Sequence, residues 1–218
     1  HGAPKFWGDE NRPQWAESDR IPGHEITGTI VAGSDETLAA HTEGKPYELA
    51  IGDRIVIEQI APCGKCRYCI RGEYWMCGPH DMFGFKKWDG AMAEYMLVPL
   101  LARVHKISKD VPAQHAAFAE PLSCALHAVE RGNIKFEDTV VIAGAGPIGL
   151  SALIGVRQKN PLKVIALDMS DDKLALAKKL GADEVINITK EDAVQKIKDM
   201  TDGYGADVYI ECTGHPSA

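Results

Sequence analysis

Four of the six cysteines are clustered in one short stretch of the sequence. They are Cys63, Cys66, Cys69 and Cys77. Four thiolates satisfy the tetrahedral coordination of zinc completely and leave no position for a substrate, so the cluster predicts a structural zinc site. An iron–sulfur cluster would use the same ligands, and cysteines can also be buried simply as small apolar side chains. The spacing favours zinc over both alternatives.

A glycine-rich loop provides the second chemical signal. It comprises Gly144, Ala145, Gly146, Pro147, Ile148 and Gly149. An apolar run, Thr139–Ala143, precedes the loop and an apolar helical run follows it, as in segments that bind a dinucleotide. In such loops the first glycine permits a tight turn, the second lets N–H groups approach a pyrophosphate, and the third allows close helix–strand packing. The alternative is a structural turn without a ligand.

Asp168 ends the next strand-like run, nineteen residues after Gly149. A carboxylate at this position can accept hydrogen bonds from the ribose hydroxyls of NAD, and it would repel the 2′-phosphate of NADP. Asp171 and Asp172 add negative charge, and Lys173 is the only cation that we expect nearby. The sequence therefore predicts a binding site for NAD.

Three further side chains are candidate functional residues, although the local sequence around them gives only weak evidence for a function. His24 and Glu25 follow a glycine and precede a strand-like run. A histidine beside a glutamate is usually a pair of exposed polar residues without a function. Glu120 lies at the start of a predicted helix, where a carboxylate can simply complement the partial positive charge of the helix N-terminus. These residues gain meaning only from the wider pattern of motifs.

That wider pattern is similar to the zinc-dependent medium-chain dehydrogenase/reductase family, which includes alcohol, sorbitol and threonine dehydrogenases. Four features occur in the family's order and at about its spacing. They are Gly23-His24-Glu25, the four-cysteine cluster, Glu120-Pro121-Leu122 and the glycine-rich loop. The resemblance covers essentially the whole chain.

The resemblance implies a second, catalytic zinc. His24 would be a ligand of this zinc, Glu25 a ligand or near neighbour, and Glu120 a ligand directly or through water. The family's further cysteine ligand precedes the Gly-His-Glu motif, and no cysteine occurs between residues 1 and 62. Since the family also extends further at the other end, we expect the sequence to be truncated at both termini.

The segment 6–15 mixes aromatic and polar residues. It has neither helical nor strand periodicity, and the simplest interpretation is an ordered surface loop. A second interpretation is that it borders the substrate pocket, where aromatic and polar groups could hold a compound with several hydroxyl groups. The segment resembles polyol dehydrogenases of the erythritol/threitol kind.

The elements that must position these residues change character once along the chain. Up to about residue 118, short β-type runs such as Glu25–Ala32, Arg54–Gln59 and Ala93–Val98 are separated by Gly and Pro. From about residue 135, short apolar runs alternate with helical patterns, which is typical of βαβ units on a parallel sheet. Ser170 and Thr189 are predicted to cap two of these helices. A helix over 118–131 is predicted to link the halves.

The predicted fold class is therefore α/β with two domains. Residues 1–125 are expected to form a strand-rich, N-terminally truncated catalytic domain with zinc sites, which the resemblance identifies as GroES-like. Residues 126–218 are expected to form a C-terminally truncated, doubly wound Rossmann domain that binds NAD.

Composition excludes several other classes. The 218 residues are 45% hydrophobic and 25% charged, as in ordinary globular chains. The net charge of −7 argues against nucleic acid as a partner, and no apolar run approaches the roughly 18 residues of a membrane span. Clustered cysteines without a secretory signal favour a reducing compartment, so we expect a cytoplasmic protein.

We expect an NAD-dependent zinc dehydrogenase that oxidises a secondary alcohol, with a small polyol or diol as the favoured substrate. Zinc would act as a Lewis acid that lowers the pKa of the alcohol. L-Threonine or a simple secondary alcohol is the alternative substrate within the family. A zinc-assisted hydrolase and a non-catalytic nucleotide-binding protein are alternatives from other classes. The resemblance also implies two zinc ions per full-length chain and a homodimer or homotetramer.

Overall fold

The computed structural model describes residues 14–17 and 19–215. The chain divides into two compact units, residues 1–120 and residues 121–218. This division and the one expected after residue 125 both fall within one helix, Ala119–Arg131. Most of the aromatic segment 6–15 lies outside the described residues, which include only Gln14 and Trp15 of it.

The first unit is built on a small antiparallel sheet. Its elements are β1 (Ile26–Thr29), α1 (Asp35–Ala40), β2 (Arg54–Ile57), β3 (Ile60–Ala61), α2 (Arg67–Ile70), β4 (Asp81–Met82), β5 (Val104–Ile107) and α3 (Ala113–Ala117). The sheet has the order β1-β2-β5, in which Ile57 pairs with both Ile26 and Val104. These three side chains are buried together with Phe83, and their removal from water stabilises the unit.

The clustered cysteines form a separate lobe on this unit. β3 pairs with β4 in antiparallel fashion, Ile60 with Met82 and Ala61 with Asp81. The chain between these strands, residues 62–80, contains α2, a 3-10 turn and all four clustered cysteines. We call residues 62–80 the cysteine lobe. The β3–β4 pair closes its base and so fixes where the lobe begins and ends.

The second unit is a parallel sheet with helices between successive strands. It begins with α4 (Ala119–Arg131), the helix within which the two units divide. Its other elements are β6 (Thr139–Ala143), α5 (Pro147–Lys159), β7 (Lys163–Asp168), α6 (Asp171–Lys179), β8 (Glu184–Asn187), α7 (Ala193–Asp199) and β9 (Val208–Glu211). All pairs are parallel, in the order β8-β7-β6-β9. Numbered within the unit this is 3-2-1-4, the order of the Rossmann fold, so the predicted α/β class is confirmed.

Both faces of the parallel sheet are covered. Side chains alternate along a strand, and Val140 and Ile142 of β6 belong to one apolar cluster with residues of α4 and α5. Val141 lies on the opposite face in a second cluster, against which Ile197 of α7 packs. This two-sided burial explains the continuous apolar run of β6 in the sequence.

Three local predictions need correction. The run Ala93–Val98 belongs to no strand among the described residues, although Met96 and Val98 pack against the core. α7 is capped by Asp192, whose side chain accepts a hydrogen bond from the N–H of Gln195, and not by Thr189. Ser170 occupies the N-cap position of α6, but its hydroxyl makes no capping hydrogen bond.

The longest helices in the described part of the chain, α4 and α5, have 13 residues each. A helix that crosses the hydrocarbon core of a bilayer needs about 20 apolar residues. No helix within residues 14–17 and 19–215 reaches the combination of length and apolar character that a membrane span requires.

Candidate active site and zinc sites

The glycine-rich loop connects β6 to α5. Gly146 is the N-cap of α5 and Pro147 is its first residue, where the N–H that proline lacks has no helical partner. Ile148 packs against the core of the unit and anchors this first turn. A Cβ atom on Gly149 would lie 1.7 Å from the carbonyl oxygen of Gly144, so only glycine allows this approach of helix and loop. The N-terminus of α5 thus faces the loop and offers N–H groups to an anion.

Asp168 is the last residue of β7 and lies beside this loop. Its Oδ2 accepts a hydrogen bond from the backbone N–H of Ala145 at 2.8 Å, and its Oδ1 accepts one from the N–H of Ser170 at 2.9 Å. The Nζ atom of Lys173 lies 3.9 Å from Oδ1. Because a carboxylate oxygen can accept two hydrogen bonds, both oxygens retain the capacity to bind a ribose hydroxyl.

A second cation lies at the turn that follows Asp168. The Nζ atom of Lys190 is 2.5 Å from Oδ2 of Asp171. Hydrogen bonds from Lys190 and then from Asn187 lower the pKa of Asp171. Lys173 is the cation that the structure places beside Asp168, and Lys190 is a second cation, paired with Asp171, that the sequence did not predict. Lys190 is far from Asp171 in sequence, and it approaches only because β7 and β8 pair in parallel.

His24, Glu25 and Glu120 come together in the first unit. Their ligand atoms all lie within 4.8 Å of one another. His24 and Glu25 directly precede β1, and α3, which packs against β1, leads into the helix that carries Glu120. One imidazole and two carboxylates are donors that zinc binds at about 2.0–2.2 Å. The donor set therefore fits a zinc ion, and three protein ligands leave a fourth position for another ligand.

The backbone that leads to His24 is held against residues 84–92. The hydrogen bonds run from Gly90 N–H to Ile21 O (2.7 Å), from Ala91 N–H to Gly23 O (2.9 Å) and from Met92 N–H to Pro22 O (3.0 Å). A Cβ atom on Gly90 would lie 2.1 Å from the carbonyl oxygen of Gly23, so the approach requires glycine. Sequence reasoning missed Gly90, because a close approach between distant segments leaves no local signal.

Two aromatic side chains, Phe85 and Trp15, follow the ring of His24 in a series of ring contacts. The ring centroids of His24 and Phe85 are 5.4 Å apart, and those of Phe85 and Trp15 are 6.1 Å apart. The Nζ atom of Lys86 lies 4.3 Å from the centroid of Trp15, a cation–π contact. Trp15 is 38% exposed, so an aromatic surface with a cationic edge is accessible close to the His24 cluster.

The cysteine lobe brings all four thiols together. Every pair of sulfur atoms lies within 4.8 Å, with Cys66 Sγ and Cys69 Sγ at 3.6 Å and Cys63 Sγ and Cys69 Sγ at 4.0 Å. Ligand sulfurs about 2.3 Å from a tetrahedral zinc are separated by about 3.8 Å. The four cysteines are free thiols and fit a closed zinc site.

The four thiols lie in different electrostatic environments, which shift their pKa values in opposite directions. A hydrogen bond from the backbone of Lys65 lowers the pKa of Cys63 to about 6, and one from the backbone of Cys69 lowers the pKa of Cys66. Burial raises the pKa of Cys69 and raises that of Cys77 to about 12. The environment alone therefore does not deprotonate all four thiols at neutral pH, whereas a bound dication does.

A polar cluster attaches the cysteine lobe to the sheet. Oε1 of Glu58, directly after β2, accepts hydrogen bonds from the hydroxyl of Tyr74 in the lobe (3.2 Å) and from Nε of Arg103 (3.3 Å), and it lies 2.8 Å from Nε2 of His105. Burial raises the pKa of Glu58, but the hydrogen bond with His105 and the charge of Arg103 outweigh it and lower the pKa overall. Sequence reasoning missed this cluster.

Comparison with known protein families agrees with these two units. Residues 6–109 match the family described as alcohol dehydrogenase GroES-like domain. Residues 147–218 match the family described as zinc-binding dehydrogenase. The first match contains the cysteine lobe and His24, and the second contains Asp168 and the last three residues of the glycine-rich loop.

Curated relatives point the same way. The chain is 63% identical to an erythritol/L-threitol dehydrogenase from Mycolicibacterium smegmatis, over 100% of this chain and 59% of that protein. It is 39% identical to an L-threonine 3-dehydrogenase from Pyrococcus horikoshii, over 94% of this chain and 57% of that protein. The chain thus spans somewhat more than half of the length of these relatives.

Solved structures include similar chains. An alcohol dehydrogenase from Thermus sp. ATN1 has a TM-score of 0.80 at 28% identity, over 100% of this chain and 61% of that chain. A structure from Sinorhizobium meliloti 1021 bound to NADP has a TM-score of 0.79 at 30% identity, over 93% of this chain and 56% of that chain. The motifs, both domain matches and these relatives confirm the predicted family. The chain belongs to the zinc-dependent medium-chain dehydrogenases.

Proposed function

We propose that the full protein is an NAD-dependent zinc dehydrogenase that oxidises a secondary alcohol group of a small polyol. The observation that carries this proposal is the cluster of His24, Glu25 and Glu120, whose ligand atoms lie within 4.8 Å of one another. The reaction removes a hydride from the carbinol carbon and a proton from its hydroxyl group. An alcohol and NAD⁺ thus give a ketone, NADH and a proton.

Two zinc ions with different roles are part of this proposal. His24, Glu25 and Glu120 would hold the catalytic zinc, and the four thiols of the cysteine lobe would hold the structural zinc. The catalytic zinc, when bound, supplies a Lewis acid that lowers the pKa of the alcohol. The aromatic contact with Phe85 orients the imidazole of His24, and the hydrogen bonds of Gly90 and its neighbours fix the backbone before it.

NAD is the proposed dinucleotide. The glycine-rich loop, with Gly144, Gly146, Pro147, Ile148 and Gly149, would present N–H groups to the pyrophosphate at the start of α5. Asp168 would accept hydrogen bonds from the adenosine ribose. Lys173, 3.9 Å from this carboxylate, partly balances its charge. The similar structure from Sinorhizobium meliloti 1021 is bound to NADP, so the proposed preference for NAD rests on Asp168.

Erythritol or L-threitol is the proposed substrate class. The support is the 63% identity over the whole chain with a dehydrogenase named for these compounds. The exposed ring of Trp15 and the ammonium group of Lys86 near it form a surface suited to a molecule with several hydroxyl groups. L-Threonine is the second candidate, because a relative of 39% identity is named for that reaction.

A substrate panel with the full-length protein tests the proposal. Erythritol, L-threitol, sorbitol, L-threonine and a simple secondary alcohol are each supplied with NAD, and NADH formation is followed by absorbance. We expect the four-carbon polyols to give the highest kcat/KM. Highest activity with L-threonine would move the protein to the threonine branch of the family. A hydrolytic product without NADH would indicate a zinc hydrolase, and binding of NADH without any turnover would indicate a non-catalytic protein.

The location and assembly of the protein are also proposals. Free thiols placed to bind zinc are typical of a reducing compartment, which supports the cytoplasm. A homodimer or homotetramer stays a prediction from the family, and the molar mass of the full protein in solution tests it.

A further inference from the structure

The turn after Asp168, residues 169–171, is held by a side chain from the neighbouring strand. Asn187 is the last residue of β8 and pairs in register with Asp168, the last residue of β7. Asn187 is only 7% exposed. A buried polar side chain at this position needs hydrogen-bond partners, because an unpaired amide in a protein interior is costly.

The amide of Asn187 is fully used. Its Nδ2 donates to the carbonyl oxygen of Met169 at 3.1 Å and to Oδ1 of Asp171 at 2.7 Å. Its Oδ1 accepts from the backbone N–H of Thr189 at 3.0 Å and from the Thr189 hydroxyl at 2.7 Å. An amide has two donor hydrogens and two acceptor lone pairs, so these bonds fix the side chain completely. Because both partners of Nδ2 are acceptors, the orientation of the amide is determined as well.

The position of the turn decides the position of the Asp168 carboxylate. Ser170, in the middle of the turn, donates its backbone N–H to Oδ1 of Asp168 at 2.9 Å. Met169 and Asp171, on either side of Ser170, are the two residues that Asn187 binds. Displacement of the turn would therefore remove the Ser170 hydrogen bond from Asp168 and release its carboxylate from one of its two backbone donors.

Asn187 also keeps a second carboxylate away from this site. Oδ1 of Asp171 is bound by Asn187, and Oδ2 of Asp171 is bound by Lys190 at 2.5 Å. Both oxygens of Asp171 are thus engaged on the β8 side of the turn. The carboxylate that remains beside the glycine-rich loop is that of Asp168, which bonds to Ala145.

We propose that Asn187 is a positioning residue that sets the selectivity between NAD and NADP, by fixing the 169–171 turn and through it the carboxylate of Asp168. This inference rests on the proposed role of Asp168 in binding the adenosine ribose. In this proposal Asn187 acts through the turn and not by binding the cofactor. Its effect reaches the ribose through Ser170 and Asp168, so its loss should weaken binding of NADH while binding of NADPH changes little.

The test measures dissociation constants of NADH and NADPH by nicotinamide fluorescence in the full-length protein, without turnover. In Asn187→Ala, we expect the dissociation constant of NADH to rise about tenfold, as for the loss of one or two hydrogen bonds. The dissociation constant of NADPH should stay within about twofold of the wild-type value. The selectivity ratio, the dissociation constant of NADPH divided by that of NADH, should therefore fall. A variant that merely loosens the fold would weaken both cofactors alike and leave the ratio unchanged.

Two further variants make the test decisive. Thr189→Val removes a hydrogen bond to the same amide but leaves the bonds to Met169 and Asp171, so it should keep the wild-type ratio. Asn187→Asp keeps the size of the side chain and replaces the donor with an acceptor; it should lower the ratio, and it decides the test if Asn187→Ala does not fold. An unchanged ratio in the folded Asn187 variant overturns this inference alone. If the wild-type protein binds neither nucleotide, the proposed function fails together with the inference about Asn187.

Discussion

The carboxylate of Asp168 accepts a hydrogen bond from the backbone N–H of Ala145 at 2.8 Å. This bond joins the end of β7 to the glycine-rich loop that follows β6. The candidate ribose ligand and the candidate pyrophosphate loop are therefore parts of one rigid arrangement. A substitution at Asp168 should consequently affect the loop as well as the ribose contact, and it should weaken NAD more than its charge alone would suggest.

The first prediction concerns the choice of cofactor. The 2′-phosphate of NADP would be placed against the carboxylate of Asp168, and like charges in contact cost several kcal/mol. With about 2.8 kcal/mol as a lower bound, the wild-type protein should prefer NAD by at least about a hundredfold in kcat/KM. Asp168→Ala should narrow this gap, mainly through weaker NAD binding. Glu137→Ala is the matched control, since this exposed carboxylate precedes β6, at the opposite edge of the sheet from the end of β7, and should leave the ratio as it is.

The result that contradicts this prediction is equal efficiency of the wild-type enzyme with NAD and NADP. In that case Lys173 and Lys190 would have to neutralise the carboxylates of Asp168 and Asp171 more fully than their distances suggest. A variant that lacks both lysines would show whether they do.

The second prediction concerns the catalytic zinc. His24→Ala removes the nitrogen donor of the His24, Glu25 and Glu120 cluster, so the zinc content of the full protein should fall from two ions to one. Turnover should fall by more than about a hundredfold, beyond the 10–100-fold effect of residues that only support metal ligands. NADH binding should persist. His115→Ala, an exposed histidine of α3, should keep both zinc ions; near wild-type activity of His24→Ala would exclude His24 as a ligand.

The third prediction tests the close contact between Gly90 and the backbone of Gly23, the residue before His24. A Cβ atom on Gly90 would lie 2.1 Å from the carbonyl oxygen of Gly23, so Gly90→Ala must displace the backbone that carries His24. Occupancy of the catalytic zinc and kcat should both fall, kcat by about 10–100-fold, while the zinc of the cysteine lobe stays bound. In Gly28→Ala the added Cβ meets no described atom within 4 Å, so this control should behave as wild type. Full occupancy in Gly90→Ala would show that the backbone adapts without moving the site.

The fourth prediction concerns the cysteine lobe. Cys66→Ser removes one of four thiolates from a closed site, and the structural zinc should be lost or bound far more weakly. The melting temperature should fall by more than about 5 °C, since each kcal/mol lost lowers it by about 4–8 °C in a domain of 60–100 residues and by about 2–4 °C in one of 150–250 residues. NADH binding should change little. Cys124→Ser, outside the cluster, is the control, and unchanged melting and zinc content in Cys66→Ser would refute the structural assignment.

The sequence predicted the features that depend on local pattern. The strand Thr139–Ala143, the glycine-rich loop and α5 follow one another as expected, because turn chemistry and apolar periodicity are both local. The cysteine lobe could also be predicted, since its four thiols lie within one loop. The approach of Glu120 to His24 and Glu25 came only from resemblance to a family, because nothing in the local sequence relates residues so far apart.

Contacts between distant segments explain what the sequence did not predict. Thr189 has the residue type of a helix cap, but its hydroxyl bonds to Asn187, and the helix begins after Asp192 instead. Ala93–Val98 has the composition of a strand, but a strand also needs a neighbour with which to pair, and composition does not supply one. The pairing of Lys190 with Asp171 depends on the register of β7 and β8, which the sequence alone does not give.

The central claim is that hydride passes from the carbinol carbon of a small polyol to NAD. Erythritol that carries deuterium at its secondary carbons, incubated with NAD and the full-length protein, tests this claim most directly by mass spectrometry of the reduced nucleotide. The account predicts NADH that contains one deuterium for each molecule of ketone formed, and none when the label is in the solvent. Reduced nucleotide without substrate deuterium, or a product formed without reduction of NAD, would contradict it.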